Sequence, residues 1–165
     1  NSYKRNLNMY VLAEDTDGNF AAPPMPLKQN LKTWISRHKM INDTIDILDG
    51  RVINYGINFE IIAGLDSNRY EVLQACVDKL KDKLKVKNNI GQAVYISEIY
   101  RYLNDVPGVV DATNVELTNL VGGAYSNYVY DINTNLSADG RFLTIPHDAV
   151  AEILNMDEDI LGAVT

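Results

Sequence analysis

The sequence predicts an α+β fold, an antiparallel sheet covered by helices on one face and followed by an extended C-terminal arm. Three observations carry that expectation. In residues 51–63, Ile53, Tyr55, Ile57, Phe59 and Ile61 alternate with Asn54, Gly56, Asn58 and Glu60, the period-two pattern of a half-buried strand. Five apolar side chains on one face, each contributing roughly 1.5–3 kcal/mol when buried, require a covering layer. Two stretches of helical periodicity flank this strand and can supply it.

Residues 1–8 are polar and expected to be loose, and Met9-Tyr-Val-Leu-Ala13 reads as a first strand. The run Ala21-Ala-Pro-Pro-Met-Pro26 cannot donate a regular set of ladder hydrogen bonds and is a stiff connector, with Pro26 suited to the first turn of a helix. Leu27, Leu31, Trp34, Ile35 and His38 then share one helical face. Asp49-Gly50, between residues 43–48 and the central strand, is a dipeptide favoured in tight hairpins, so those two strands are expected to pair. Asn68 with Glu71 three residues later resembles a capping box, and Leu73, Cys76, Val77, Leu80 and Leu84 form the apolar stripe of the helix it opens. The charge run 78–85 is the solvated side of that helix.

Ser97 can cap a shorter helix that Val106-Pro107-Gly108 stops, and residues 109–120 are rich enough in β-branched side chains to form a further strand. The order strand, helix, strand, strand, helix pair, strand is that of a split β-α-β, or ferredoxin-like, unit. It assigns residues 9–121 to an α+β sandwich domain and residues 122–165 to an arm. The even-numbered side chains of the central strand are expected to face solvent. In the arm a hairpin around Asp139-Gly140, a strand over 141–145 and a brief helix over 147–154 are expected. So long a segment with so little periodicity should find its cover in another chain, with Tyr125, Tyr128, Tyr130, Phe142, Leu143 and Ile145 as the contact residues.

Composition bounds the function. The 165 residues are 46% hydrophobic, as in ordinary globular proteins, and 15 basic against 22 acidic side chains leave a net charge of −7. That charge argues against nucleic acid or an anionic membrane as the principal partner. No apolar run approaches the ~20 residues of a membrane span, and no signal-peptide pattern opens the chain. Beginning Asn-Ser without Met, the sequence reads as a segment of something longer.

Catalytic constellations are not apparent. Asp15, Asp17 and Asn19 suggest a calcium loop, but Phe20 stands at its glycine position and Pro26 at its closing glutamate, so a solvated turn is expected. His38 and His147 lack metal-ligand neighbours; His38 reads as a packed or rim residue and His147 as part of a helix cap. Cys76, the single cysteine, sits in an apolar stripe and should be buried and inert. No Gly-x-Ser-x-Gly, Walker-type or Gly-x-Gly-x-x-Gly motif is present, and the sequons at Asn42 and Asn135 carry no weight without a secretion signal. No catalytic, cofactor-binding or metal-binding residue is assigned and no cofactor is implied.

The segment Ile90-Gly-Gln-Ala-Val-Tyr-Ile-Ser-Glu-Ile99, followed by Val106-Pro-Gly-Val-Val-Asp-Ala112, resembles the end of the phage baseplate J-like family of contractile-tailed phages and related injection machines. The upstream order of helix, strand pair and amphipathic helix is similar too, and the texture is nearest the C-terminal part of wedge proteins of T-even-like phages. The resemblance implies a non-catalytic virion component of the tail baseplate, assembled in the host cytoplasm. It would associate with itself, as a homodimer or ring, and with other baseplate wedge proteins. A small-ligand-binding regulatory domain of ferredoxin-like fold is the alternative, distinguished by a concave polar pocket near a strand end.

Overall fold

The computed structural model describes residues 5–39 and 43–165, in a mixed α+β fold. Residues 1–4 of the expected loose segment and the Asn42 sequon lie outside the described residues. Two compact units divide between Val52 and Ile53.

The first unit is built on β1 (Arg5–Val11), a small hairpin of β2 (Ala13–Glu14) and β3 (Phe20–Ala21), helix α1 (Met25–Ser36) and β4 (Asp43–Asp49). β1 and β4 run parallel from Arg5↔Asp43 to Val11↔Asp49, with α1 in the crossover between them, so the unit is a βαβ element. Pro26 stands in the first turn of α1, where its missing N–H costs nothing. The Asp15 turn is solvated as expected: the Asp15 carboxylate accepts from the backbone N–H groups of Asp17 (2.9 Å) and Asn19 (2.8 Å). Lys28 pairs with Asp49 at 2.8 Å, tying α1 to the end of β4.

The expected hairpin at Asp49-Gly50 is corrected by this pairing. β4 takes β1 as its partner, and the central strand pairs with strands of its own unit instead. Gly50 is not among the residues of positive φ that such a turn requires. Its small size serves packing, because a Cβ there would stand 2.8 Å from Leu12 Cγ.

The second unit contains β5 (Arg51–Ala63, from Ile53 on), α2 (Arg69–Leu84), β6 (Val94–Tyr95), α3 (Ile96–Asn104), β7 (Val109–Asn119), α4 (Ile132–Asn135), β8 (Phe142–Leu143), β9 (Ala149–Glu152) and β10 (Ile160–Val164). β5 is central, antiparallel to β7 and parallel to β10, and it also pairs with β9. Asn68 caps α2 as expected, accepting from the Tyr70 N–H at 3.1 Å and donating to Glu71 at 3.0 Å. Ser97 is not a cap: it lies inside the first turn of α3, and its backbone N–H donates to the Arg141 carbonyl at 3.1 Å.

Ile53, Tyr55, Ile57, Phe59 and Ile61 are all buried in one core with Val72, Cys76 and Leu80 of α2 and Ile99 and Leu103 of α3, while Val77 is half-buried against it. Leu31 and Ile35, expected opposite this row, belong to the first unit and are only half-buried. α2 packs on β10 and α3 on β7. Gly162 makes the closest of these approaches, since a Cβ there would lie 2.4 Å from Phe59 Cζ and 2.7 Å from Leu73 Cδ1.

The even-numbered face of β5 is also covered, against expectation, over Asn54 and Gly56. Asn54 is 2% exposed: its side-chain oxygen accepts from Ser126 N–H (2.7 Å), and its backbone carbonyl accepts from Leu120 N–H (2.9 Å) and Asn119 Nδ2 (3.0 Å). Asn119 in turn accepts from Tyr130 N–H at 2.9 Å. Buried Asp159 accepts from the Tyr125 hydroxyl (2.6 Å) and Asn155 N–H (2.9 Å), while its carbonyl receives Ile57 N–H (2.7 Å).

Residues 122–165 therefore pack into the core of their own unit, and the boundary expected at 121/122 is replaced by the one at 52/53. The physical reason is that the arm supplies part of the core itself: Tyr130, Ile132, Leu143, Ile145, Ala149 and Ile153 are buried in the same cluster as β5. The hairpin around Asp139-Gly140 is present, with Leu136 bridged to Leu143 and Gly140 at φ 67°. The helix expected over 147–154 is absent; residues 149–152 are the strand β9, drawn out of local preference by pairing with β5.

Two outcomes follow for stability. A chain ending at residue 121 should show no cooperative melting transition in circular dichroism, whereas a dispensable arm would leave the transition in place. Gly162→Ala should destabilise the full chain by about 1–3 kcal/mol in urea titration, through overpacking against Phe59 and Leu73.

Candidate functional site

The second unit contains a polar cleft of about 270 Å³ where α2 ends and α3 begins. Its floor is Tyr55, the one side chain of the buried β5 row that carries a polar tip. Tyr55 is hydrogen-bonded by the side chain of Asn88, and burial pushes its hydroxyl up to about 12. The phenol is thus a neutral hydrogen-bonding group across the physiological range.

Loop residues 85–93 form one wall, and several bonds fix their course. Asn88 Nδ2 donates to the Ala151 carbonyl (3.0 Å), Gly91 N–H to the Ala149 carbonyl (2.8 Å), and Asn89 N–H to the Gln92 side chain (2.8 Å). Gly91 holds φ 75°, a conformation that favours glycine at this bend. Lys83 and Lys87 line the same side. Glu98 and Tyr102 of α3 line the other; Glu98 lies 3.9 Å from Arg101, whose guanidinium stands over the Tyr102 ring at 5.2 Å. Tyr95 completes the lining, half exposed and 5.9 Å from the Phe142 ring.

Of the six arm residues expected at a contact with another chain, Tyr130, Leu143 and Ile145 are buried inside their own unit. The Tyr130 hydroxyl donates to the Thr144 carbonyl. Tyr125 and Tyr128 are half-buried, and Phe142 is the most accessible of the six, beside Tyr95 at the cleft. Tyr125 donates to Asp159, and this bond, helped by burial, raises its hydroxyl to about 12. The structure thus places Phe142 beside Tyr95, outside the cleft lining, and the others in or against the core.

Cys76 is buried, and burial pushes its thiol up to about 11, the setting of a packing residue rather than a nucleophile. His38 is exposed rather than packed, with its ring 4.6 Å from Trp34 and its Nδ1 2.9 Å from the Trp34 carbonyl. His147 does not cap a helix, because the chain turns there into β9. Among the described residues no group of three or more His, Cys, Asp or Glu side chains could hold a metal ion, and no helix is long and apolar enough to cross a membrane.

Sequence reasoning passed over Tyr55, Lys83, Asn88 and Tyr102 as cleft residues. One signal was available: a tyrosine at the centre of an isoleucine row needs a partner for its hydroxyl. The other members meet through tertiary folding, which no local spacing announces. No protein-family model matches the chain, and no curated protein matches it.

The two tyrosines raised to about 12, Tyr55 and Tyr125, set an alkaline limit. Because their folded values lie near 12 and the ordinary value is 10.0, their contribution is fully present below pH 10 and is lost as pH rises towards 12. Stability measured by denaturant titration should therefore fall between pH 10 and 12. The fall should be shallower in the Tyr55→Phe, Tyr125→Phe double variant; an unchanged slope would assign it to other groups.

Proposed function

We propose that this chain is a non-catalytic assembly module, and specifically a structural component of a contractile tail baseplate that meets copies of itself and neighbouring wedge proteins in the virion. The supporting observation is the state of the first unit. A two-stranded parallel sheet with one helix is normally covered on both faces, because its strands otherwise expose apolar rows. Here no residue of β1, α1 or β4 is buried. Leu7, Met25, Leu27 and Trp34 are each at least half exposed, at 50%, 65%, 52% and 62%. By register Leu7 and Met9 lie on the same sheet face as Ile45 and Ile47, making an apolar row.

An apolar surface of this kind is characteristic of protein contact sites. A second chain would complete the layer that this unit lacks. The contractile-tail assignment rests on the resemblance in residues 90–112 and on the order of elements around it. In that reading the second unit is a variant of the split β-α-β arrangement. β5 and β7 are its sheet pair, α2 and α3 its covering helices, and β10 takes the edge that the hairpin strand was expected to fill. Phe142 is the arm residue that this reading retains as a contact.

Sedimentation equilibrium tests the self-association half of the proposal. The full chain should be dimeric or larger at micromolar concentration, and Leu7→Asp with Trp34→Asp should return it to a monomer with the second unit still folded. A monomer at every concentration would overturn self-association.

A further inference from the structure

We propose that the outer edge of β10 is a self-pairing surface, at which a second copy of this chain adds its own β10 antiparallel and extends the sheet of the second unit. The contact is separate from the first-unit surface and does not depend on the tail assignment. β10 is an end strand of its sheet, paired with β5 alone among the described residues. The Ile57 N–H donates to the Asp159 carbonyl (2.7 Å), the Thr165 N–H to the Ile61 carbonyl (2.9 Å) and the Ala63 N–H to the Thr165 carbonyl (3.2 Å). Residues 159, 161, 163 and 165 therefore turn their backbone groups towards β5. Ile160, Gly162 and Val164 alternate with them and turn theirs outward, where no described residue bonds them.

The two end strands of this sheet differ in how they are guarded. Edges are ordinarily blunted by charge, proline, a bulge or a covering element. β7 is blunted in this way: its register against β5 shifts twice, and it carries Asp111 and Glu116. Its Ala112 and Val115 N–H groups are taken by the Asn104 side chain (2.8 Å) and the Tyr100 hydroxyl (3.0 Å) of α3. Ile160-Leu-Gly-Ala-Val164 has no charge and no proline, and its register is unbroken. Charge and symmetry name the occupant. Residues 53–165 carry sixteen acidic and eight basic side chains, so two copies repel except where a neutral segment lets them meet. A two-fold axis at Gly162 sets Gly162 opposite itself and Ile160 opposite Val164, so outward groups meet outward groups in about six backbone hydrogen bonds. The acidic run 157–159 then lies ~25 Å from its mate, beyond the ~8–10 Å screening length. On the outer face Leu161, 59% exposed, comes opposite the small Ala163 of the second copy.

So short an edge buries less than the roughly 1,200–2,000 Å² of a stable interface, so the pairing is weak by itself. It forms at about millimolar concentration, or when the first-unit contact supplies an effective concentration of that order. A second contact of this kind turns pairs into rings or open chains. The test uses the full chain carrying Leu7→Asp and Trp34→Asp, so that the β10 edge is read by itself whether or not the first unit associates. Amide hydrogen exchange is compared at about 10 μM and about 1 mM. The Ile160, Gly162 and Val164 amides should exchange freely at the low concentration and roughly fivefold or more slowly at the high one. The Leu161, Ala163 and Thr165 amides, bonded to β5, should be protected at both. Val164→Pro removes an outward N–H and no bond to β5, so it should keep the melting transition and abolish the concentration-dependent protection. Leu161→Lys, which places a charge on the exposed face, should abolish it as well. Equal exchange at the two concentrations would overturn the proposal, as would protection that persists in both variants. Protection conferred only by an added synthetic peptide of residues 157–165 would show that the edge takes a free strand and not a second copy, and would overturn it too.

Discussion

Strand β5 sits at the centre of the second unit with no buried side-chain polar atom left unbonded among the described residues. A strand of alternating pattern ordinarily turns its polar side to water, and burying an asparagine without partners costs several kcal/mol. Asn54 is buried yet bonded through its side chain to Ser126 and through its carbonyl to Leu120 and Asn119. Gly56, the next residue on that face, admits the Asp159 carbonyl and Thr118 so closely that a Cβ would lie 2.9 Å from the former. The asparagine and the glycine are thus what allow a second layer to close over the strand.

That layer fixes the character of the arm. Leu120 and Ser126 N–H donate to Asn54 of β5, Tyr130 N–H donates to the Asn119 side chain of β7, the Asp159 carbonyl accepts from Ile57 N–H, and apolar residues of the arm enter the same core. The contrast with the first unit is energetic. At roughly 25 cal/mol per Å² of apolar area buried, a unit with no buried strand or helix residue gains little against the entropy of ordering its backbone. Several of its apolar residues, Leu7, Met25, Leu27 and Trp34 among them, are exposed, which is consistent with a surface completed by association, whereas the second unit has closed its own core.

The parts legible in the sequence were those set by local pattern. The odd row of β5, the Asn68 cap with Glu71, the stripe of α2 and the strand at 109–119 each depend on residues within a few positions of one another. What was misread depends on distant partners. Asp49-Gly50 carries the residues of a tight turn, but β1, some forty residues earlier, takes β4 in parallel. Residues 147–154 have helix-forming alanines, but Ala149, Val150 and Ala151 are buried consecutively, which shows no period of two because both sides of β9 are covered. The low periodicity of the arm marked a segment enclosed by its own unit, and the same low periodicity had suggested a segment awaiting a partner.

The cleft was illegible for a related reason and is coupled to the same construction. Its floor is the tip of a core residue, Tyr55, and its loop wall is held by the Ala149 and Ala151 carbonyls of β9, which itself pairs with β5. The polar tip of Tyr55 reaches the end of the helical layer where α2 stops, and the loop from 85 to 93 must bend around it before α3 begins. Filling that space with apolar side chains would leave the hydroxyl without hydrogen-bond partners, a cost of about 1–3 kcal/mol. Asn88 removes that cost by bonding the hydroxyl while also bonding β9. The cleft is therefore continuous with the central sheet, and any group bound in it would stabilise the folded second unit by mass action, through the same loop that joins α2 to the arm.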